Sequence, residues 1–89
     1  MRNHQHSSHS AIVKRLNRAA GHLRSTVTMI EDGRTCVDIA QQLDAVEKAV
    51  ASAKRALIHD HIDHCLNQTT DPGGGAAAME EFRAISRYL

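Results

Sequence analysis

Residues 36–65 read CVDIAQQLDAVEKAVASAKRALIHDHIDHC. Apolar residues recur in this stretch at alternating intervals of three and four, the spacing of one face of an α-helix. These positions are Cys36, Ile39, Leu43, Val46, Val50, Ala53 and Leu57. No Gly or Pro interrupts residues 35–70, and Thr35 is a favourable N-cap. The stretch therefore predicts one helix that runs to about Leu66 and is about 45 Å long at 1.5 Å per residue.

The preceding residues predict a first helix from about Ser8 or Ser10 to Glu31. Its apolar positions follow the same alternating spacing at Leu16, Ala20, Leu23, Val27 and Ile30. Asp32-Gly33 follows, and Gly33 is a natural left-handed cap.

The residues after the long helix predict a link and a short third helix. TTDPGGG at 69–75 is a helix breaker. Residues 76–89 then place Met79, Phe82, Ile85 and Leu89 on one helical face. We therefore expect an all-α, three-helix protomer. Residues 1–10 form a flexible His-containing arm, and residues 11–89 form a single all-helical domain.

The apolar faces of the two long helices are more than one chain can cover. The two long helices form a helical hairpin, and pairing two of these hairpins into an antiparallel four-helix-bundle dimer covers both faces. The alternative is a monomeric three-helix bundle, but its third helix is too short to cover about 45 Å of apolar surface. We therefore expect a dimer.

Composition narrows the class of protein. The 89 residues include no Trp, one Phe and one Tyr, so aliphatic residues must build the core, which favours helices over a β-sandwich or barrel. No apolar run approaches the ~18–20 residues of a membrane span, and the His-rich amino terminus lacks the apolar stretch of a signal peptide. We expect a cytoplasmic protein, whose two cysteines are ligands or sensors rather than a structural disulfide.

Charge is distributed unevenly along the chain. All ten acidic residues lie from Glu31 onward. Residues 1–30 instead carry Arg2, Lys14, Arg15, Arg18 and Arg24. A locally basic first helix indicates an anionic partner such as nucleic acid, and the alternative is a solvated helix face.

The sequence HDHIDHC at 59–65 contains the strongest chemical signal. His61 and Cys65 are one helical turn apart on the same face, which suits two ligands of one metal ion, and His64 lies beside them. Cys36 precedes His61 by about 37 Å along the helix axis. In an antiparallel dimer, however, Cys36 of one chain meets His61 and Cys65 of its partner, which creates two equivalent intersubunit sites. The alternative for Cys36 is a small apolar residue of the helix face.

Two thiolates and an imidazole form a soft ligand set. It suits Cu(I) with three ligands, or Ni(II), Co(II) or Zn(II) when a fourth ligand is added. The arm offers His4, His6 and His9 for that role, unless it is only a disordered tail. The sequence does not indicate an enzyme. It has no Gly-rich phosphate loop after a strand, and nothing supplies Cys65 and His64 with an oxyanion site or a pocket for a small-molecule substrate.

Four segments resemble the CsoR/RcnR-type family of copper-sensing and nickel/cobalt-sensing repressors. They are RLNRAAGHL (15–23), MIE (29–31), CVDIAQQLDAVEKAV (36–50) and HDHIDHC (59–65). The resemblance implies the metal ligands Cys36, His61 and Cys65, and adds His4, which matches an amino-terminal ligand of nickel-responsive members. Glu81 matches an acidic position beside the ligands of the copper sensors, whereas Thr35 replaces their tyrosine.

The resemblance also implies operator DNA as partner and a dimer of dimers. Arg15 matches a DNA-contacting position, Lys14 and Arg18 lie near it, and Lys54 and Arg55 are further candidates. Ser52 stands where the family has a second arginine. His61 argues against the sulfur-responsive relatives, and Arg2 and Cys65 argue against the formaldehyde-responsive ones.

These observations predict a repressor that binds operator DNA without metal and is released by Ni(II) or Co(II), so that metal efflux or resistance genes are expressed. His6, His9 and His64 are further candidate ligands. A Cu(I)-sensing repressor of the same family is the alternative. A metal-buffering or chaperone protein is more distant, because it leaves the basic first helix unexplained.

Overall fold

The computed structural model describes residues 9–68 and 75–89, with side chains at 9–64 and 75–89. Three α-helices, and no strand, occur in these ranges: α1 is His9–Glu31, α2 is Cys36–Gln68 and α3 is Gly75–Ser86. The all-α, three-helix prediction is confirmed. The predicted arm and link lie largely outside the described residues, so the division at residue 10 stays a prediction.

Local chemistry at the α1–α2 turn explains both helix ends. Gly33 has a φ of 78°, a left-handed conformation that glycine adopts without a Cβ penalty. The Gly33 and Arg34 amides donate to the carbonyls of Ile30 and Met29 at 3.1 and 3.0 Å, which is the Schellman pattern of a helix end. Thr35 Oγ1 then accepts the Asp38 amide at 3.1 Å. The predicted Gly33 cap and Thr35 N-cap are both confirmed.

The described residues form two compact units. The hairpin unit, Ser10–Lys54, contains α1 from its second residue and the first part of α2. The C-terminal unit contains Arg55–Leu89, and therefore the rest of α2 with α3. Within the described ranges, no helix combines the length and the apolar character that crossing a membrane would require.

The helices of the hairpin unit pack through a face that we call the inner stripe. On α1 it consists of Ile12, Ala19, His22, Thr26 and Met29, and on α2 of Ile39, Gln42, Val46, Ala49 and Ala53. All ten are buried or half-buried. Two polar contacts lie on it. His22 Nε2 donates to Gln42 Oε1 at 2.6 Å, and Thr26 Oγ1 donates to the His22 carbonyl at 2.9 Å.

A second, apolar face of the hairpin unit is exposed, and we call it the outer stripe. It consists of Leu16, Ala20, Leu23, Val27 and Ile30 on α1, with Leu43 and Val50 on α2. At about 100° per residue, it lies about 90° around α1 from the inner stripe. The predicted apolar face of α1 is thus left uncovered by α2, in keeping with the expectation that one chain cannot cover it. The predicted apolar face of α2 contains residues of both stripes. Ile39, Val46 and Ala53 belong to the inner stripe, and Leu43 and Val50 belong to the outer stripe.

The C-terminal unit corrects the predicted face of α3. Ala78 and Ile58 are buried, while Phe82 and Ile85 are half-buried. Met79 and Leu89, predicted on the packed face, are 47% and 70% exposed. Ala78, Phe82 and Ile85 follow one another at intervals of four and three residues, so they share one face of α3. The packed face therefore includes Ala78 in place of Met79. Leu89 falls outside the helix, which ends at Ser86.

Candidate functional site

The backbone that precedes Cys36 is fixed by the α1–α2 turn. Cys36 is the first residue of α2, directly after the Thr35 N-cap, and its free thiol is exposed. Because the turn and the cap fix the preceding backbone, the position of the thiol is set by the hairpin unit. An exposed thiol on a fixed helix end is accessible to an ion or to another chain.

His61 and Glu81 face each other in the C-terminal unit. His61 Nε2 lies 3.7 Å from Glu81 Oε1, with the two side chains 25% and 56% exposed. A metal-ligating histidine commonly presents its second ring nitrogen to a carboxylate, which fixes the ring orientation. The observed arrangement therefore suits His61 as a ligand, because the Glu81 carboxylate lies near its second ring nitrogen, although 3.7 Å is longer than a hydrogen bond.

The other predicted ligands are placed only in part. Cys65 lies in α2 one turn after His61, but its side chain is outside the described residues, as are His4 and His6. His64 is exposed, and His9 is the half-buried first residue of α1. Among the side chains that the structure describes, no three His, Cys, Asp or Glu residues form a metal-binding group. Cys36 and His61 belong to different units, so the proposed ligand set stays a prediction.

A groove lies between α1 and α2 in the hairpin unit. It has a volume of about 530 Å³, and its lining consists of Arg15, Arg18, Ala19, His22, Ala49 and Ser52. Arg15 Nη1 donates to Ser52 Oγ at 3.2 Å across the groove. The alanines leave space between the helices. Two cations and no acidic residue line the groove, so its chemistry suits an anion.

The remaining predicted DNA-contact residues are exposed outside this groove. Lys14 lies on α1, and Lys54 and Arg55 lie on α2; none belongs to the lining. The groove also contains His22, which the sequence did not single out, and Ser52, which stands where the family has a second arginine. The signal for His22 was its position seven residues after Arg15, which places both on one side of α1.

Two other basic side chains of the hairpin unit, Lys48 and Arg34, pair with carboxylates. Lys48 Nζ lies 2.9 Å from Asp44 Oδ2, and this hydrogen bond together with the carboxylate charge raises the pKa of Lys48 above its usual value. Arg34 pairs with Asp38 at 3.6 Å. Both pairs are solvated and contribute little to stability. They contrast with Arg15 and Arg18, whose groove has no acid in its lining.

Comparison with known proteins identifies related chains. A family model described as "Metal-sensitive transcriptional repressor" matches residues 8–87. The copper-sensing transcriptional repressor CsoR of Bacillus subtilis (strain 168) is 36% identical over 81 residues, covering 90% of this chain and 80% of that protein. CsoR of Mycobacterium ulcerans (strain Agy99) is 37% identical over 72 residues, 81% of this chain. The match spans only 62% of that relative's length.

A solved structure has the same fold. The nickel-responsive transcriptional regulator InrS aligns with a TM-score of 0.83 and 28% sequence identity, covering 98% of this chain and 99% of that one. The similar proteins thus include both copper-sensing and nickel-responsive regulators.

Proposed function

From the premise that this chain belongs to the metal-sensitive transcriptional repressor family, we propose that it represses transcription by binding operator DNA and releases that DNA when it binds Ni(II) or Co(II). The observation that carries the proposal of metal binding, whichever the metal, is the contact between His61 Nε2 and Glu81 Oε1. It occurs one helical turn before Cys65, in the segment that contains the predicted ligands. The genes controlled would encode metal efflux or resistance, and DNA binding would take place in the cytoplasm.

The proposed active form is an antiparallel dimer that assembles further as a dimer of dimers. The exposed outer stripe supports it, because each large aliphatic side chain contributes about 1.5–3 kcal/mol when it is fully buried. Antiparallel pairing would bring Cys36 of one protomer to His61 and Cys65 of its partner. A metal ion bound there would join the subunits by coordination bonds to soft sulfur and nitrogen ligands.

The proposed coupling is between the subunit junction and the DNA-binding surface. Cys36 begins α2, and the same hairpin unit carries Arg15, Arg18 and the groove. Fixing Cys36 to the partner subunit would therefore hold the two hairpin units in an arrangement that binds DNA less well. Because such coupling is reciprocal, DNA must weaken metal binding by the same factor.

Ni(II) or Co(II) is the first choice because of two residue features. Thr35 lacks the phenol of the copper sensors, and the amino terminus supplies His4, His6 and His9 as candidate further ligands. Cu(I) is the second candidate, favoured by the copper-sensing relatives at 36–37% identity. Nothing in the groove or at Cys36 favours a catalytic role, and we propose neither an enzymatic activity nor a small-molecule substrate.

The intersubunit site is tested by Cys36→Ala, with Val37→Ala as the control at the exposed neighbouring position. We expect Cys36→Ala to abolish tight metal binding in a spectroscopic titration of the reduced protein. Dimerisation and DNA binding should stay near normal. Unchanged metal affinity of Cys36→Ala would refute the site.

The choice of metal is tested by removing residues 1–9, which contain His4, His6 and His9 and include only the first residue of α1. Ni(II) needs four or more ligands, whereas Cu(I) is satisfied by Cys36, His61 and Cys65. The truncated chain should therefore require a much higher Ni(II) concentration to release operator DNA, whereas its Cu(I) affinity should stay almost unchanged. If Ni(II) releases DNA from the truncated and full-length chains at the same concentration, copper becomes the better assignment.

A further inference from the structure

We propose that Ser52 is a positioning residue that holds the Arg15 guanidinium in the α1–α2 groove, ready to bind one phosphate of the DNA backbone. The inference rests on the proposed operator binding and assigns it a local geometry. The observation that carries it is the hydrogen bond from Arg15 Nη1 to Ser52 Oγ, at 3.2 Å between residues 37 positions apart in the chain.

The hydrogen bond uses only part of the guanidinium. Arginine has five N–H donors in a planar fork, and Ser52 takes one from Nη1. The opposite edge keeps the paired donors that match two oxygens of a phosphate. Ser52 therefore fixes the side chain without occupying the edge that recognises the anion.

The surroundings of this hydrogen bond fit a phosphate. Arg18 and His22 line the same groove of about 530 Å³, and no acidic residue does. The other lining residues include Ala19 and Ala49, whose side chains are small. A phosphate that enters would meet two permanent cations from α1 and no competing carboxylate.

Positioning matters because a free arginine side chain loses rotamer freedom when it binds. An arginine already held by a hydrogen bond loses less. The Arg15–Ser52 contact is exposed, so it adds little to fold stability. Its effect should therefore appear in DNA binding rather than in unfolding.

The test compares four variants by fluorescence anisotropy on an operator duplex over a range of salt concentrations. Ser52→Ala should weaken binding about threefold to tenfold, the range that one hydrogen bond supplies. Its salt dependence should stay unchanged, because no phosphate contact is removed. Arg15→Ala should weaken binding and reduce the salt slope by about one unit per site. Ser52→Thr retains the hydroxyl and should restore the parent affinity.

The decisive variant is the Arg15→Ala, Ser52→Ala pair. If Ser52 acts through Arg15, the double variant should bind DNA no more weakly than the single variant Arg15→Ala. Additive losses, or a parent-like Ser52→Ala, would overturn the proposal. Ser25→Ala and Arg24→Ala are matched controls on α1, since Arg24 is nine residues from Arg15 and lies on the opposite side of the helix.

Two further outcomes separate this inference from other assignments. If the parent chain shows no preference for the operator over an unrelated duplex, operator binding itself is wrong. Replacing chloride by inorganic phosphate at constant ionic strength should leave operator affinity unchanged, because one free phosphate competes poorly with a polyanion. A large loss confined to chains that retain Arg15 would assign the groove to free phosphate and overturn its assignment to DNA.

Discussion

The inner and outer stripes of α1 lie side by side and are built from different residues. The inner stripe, packed against α2, contains Ala19, His22 and Thr26. The outer stripe, left exposed, contains leucine, valine and isoleucine. The internal contact of α1 therefore mixes small and polar side chains with two larger apolar ones, Ile12 and Met29, whereas the outer stripe is aliphatic throughout.

This difference indicates that the inner stripe determines how α1 and α2 align, whereas the outer stripe supplies free energy for binding another surface. The His22–Gln42 hydrogen bond requires one register of α1 against α2, because a shifted helix would leave both groups without this partner. Aliphatic residues on the outer stripe tolerate small shifts but gain much free energy when they are covered.

The largest expected effect comes from placing a charge on the outer stripe. Leu23→Glu should weaken dimerisation about a hundredfold or more, since each protomer would bury an unpaired carboxylate. Sedimentation velocity over a range of protein concentrations measures it, and Ser25→Glu, at an exposed polar position on the same helix, is the control. A Leu23→Glu chain that dimerises like the parent would show that this stripe is not the interface.

A smaller effect is expected from breaking the polar contact of the inner stripe. His22→Ala leaves Gln42 Oε1 half-buried without its donor and should cost about 1–2 kcal/mol of unfolding free energy. Urea denaturation at fixed protein concentration measures the change. In the double variant His22→Leu, Gln42→Leu, most of that loss should be recovered, because no polar group is then stranded. A double variant as unstable as His22→Ala would contradict this account.

The smallest effect tests the turn that aligns both stripes. Gly33→Ala forces a Cβ into a left-handed conformation and should cost about 1 kcal/mol. Gly21→Ala is the matched control, because an added Cβ there meets only Arg24 Nη2 at 3.8 Å. It should stabilise the chain by about 0.5–1 kcal/mol. Thermal unfolding followed by circular dichroism should show shifts of opposite sign, and shifts of the same sign would refute the assignment.

Sequence reasoning located the helices because their ends depend on local chemistry. Gly33 and Thr35 determine the α1–α2 turn through contacts within a few residues. Apolar spacing alone could not separate two neighbouring stripes on one helix. It favours leucine over alanine, whereas the chain packs internally through Ala19 and Ala53. The same bias placed Met79 rather than Ala78 on the packed face of α3.

The sequence also indicated only part of the candidate sites. His61 and Glu81 were both singled out from the sequence and are found in contact. Their association with Cys36 depends on a second chain and stays a prediction. For Ser52 the sequence indicated only that it replaces a family arginine, and serine has no intrinsic preference for anions. Its role follows only from its distance to Arg15.

The capped turn also has a consequence for the order in which the hairpin unit folds. Loop-closure entropy rises with the number of residues enclosed. The His22–Gln42 contact encloses 20 positions and the Arg15–Ser52 contact 37. Starting from Gly33, the helices should pair progressively towards Arg15 and Ser52, so that this end of the groove forms last and frays first. Backbone amides near His22 should exchange with deuterium more slowly than those near Arg15. The proposed DNA-binding end would then be the part of the hairpin most able to adjust its shape to a duplex.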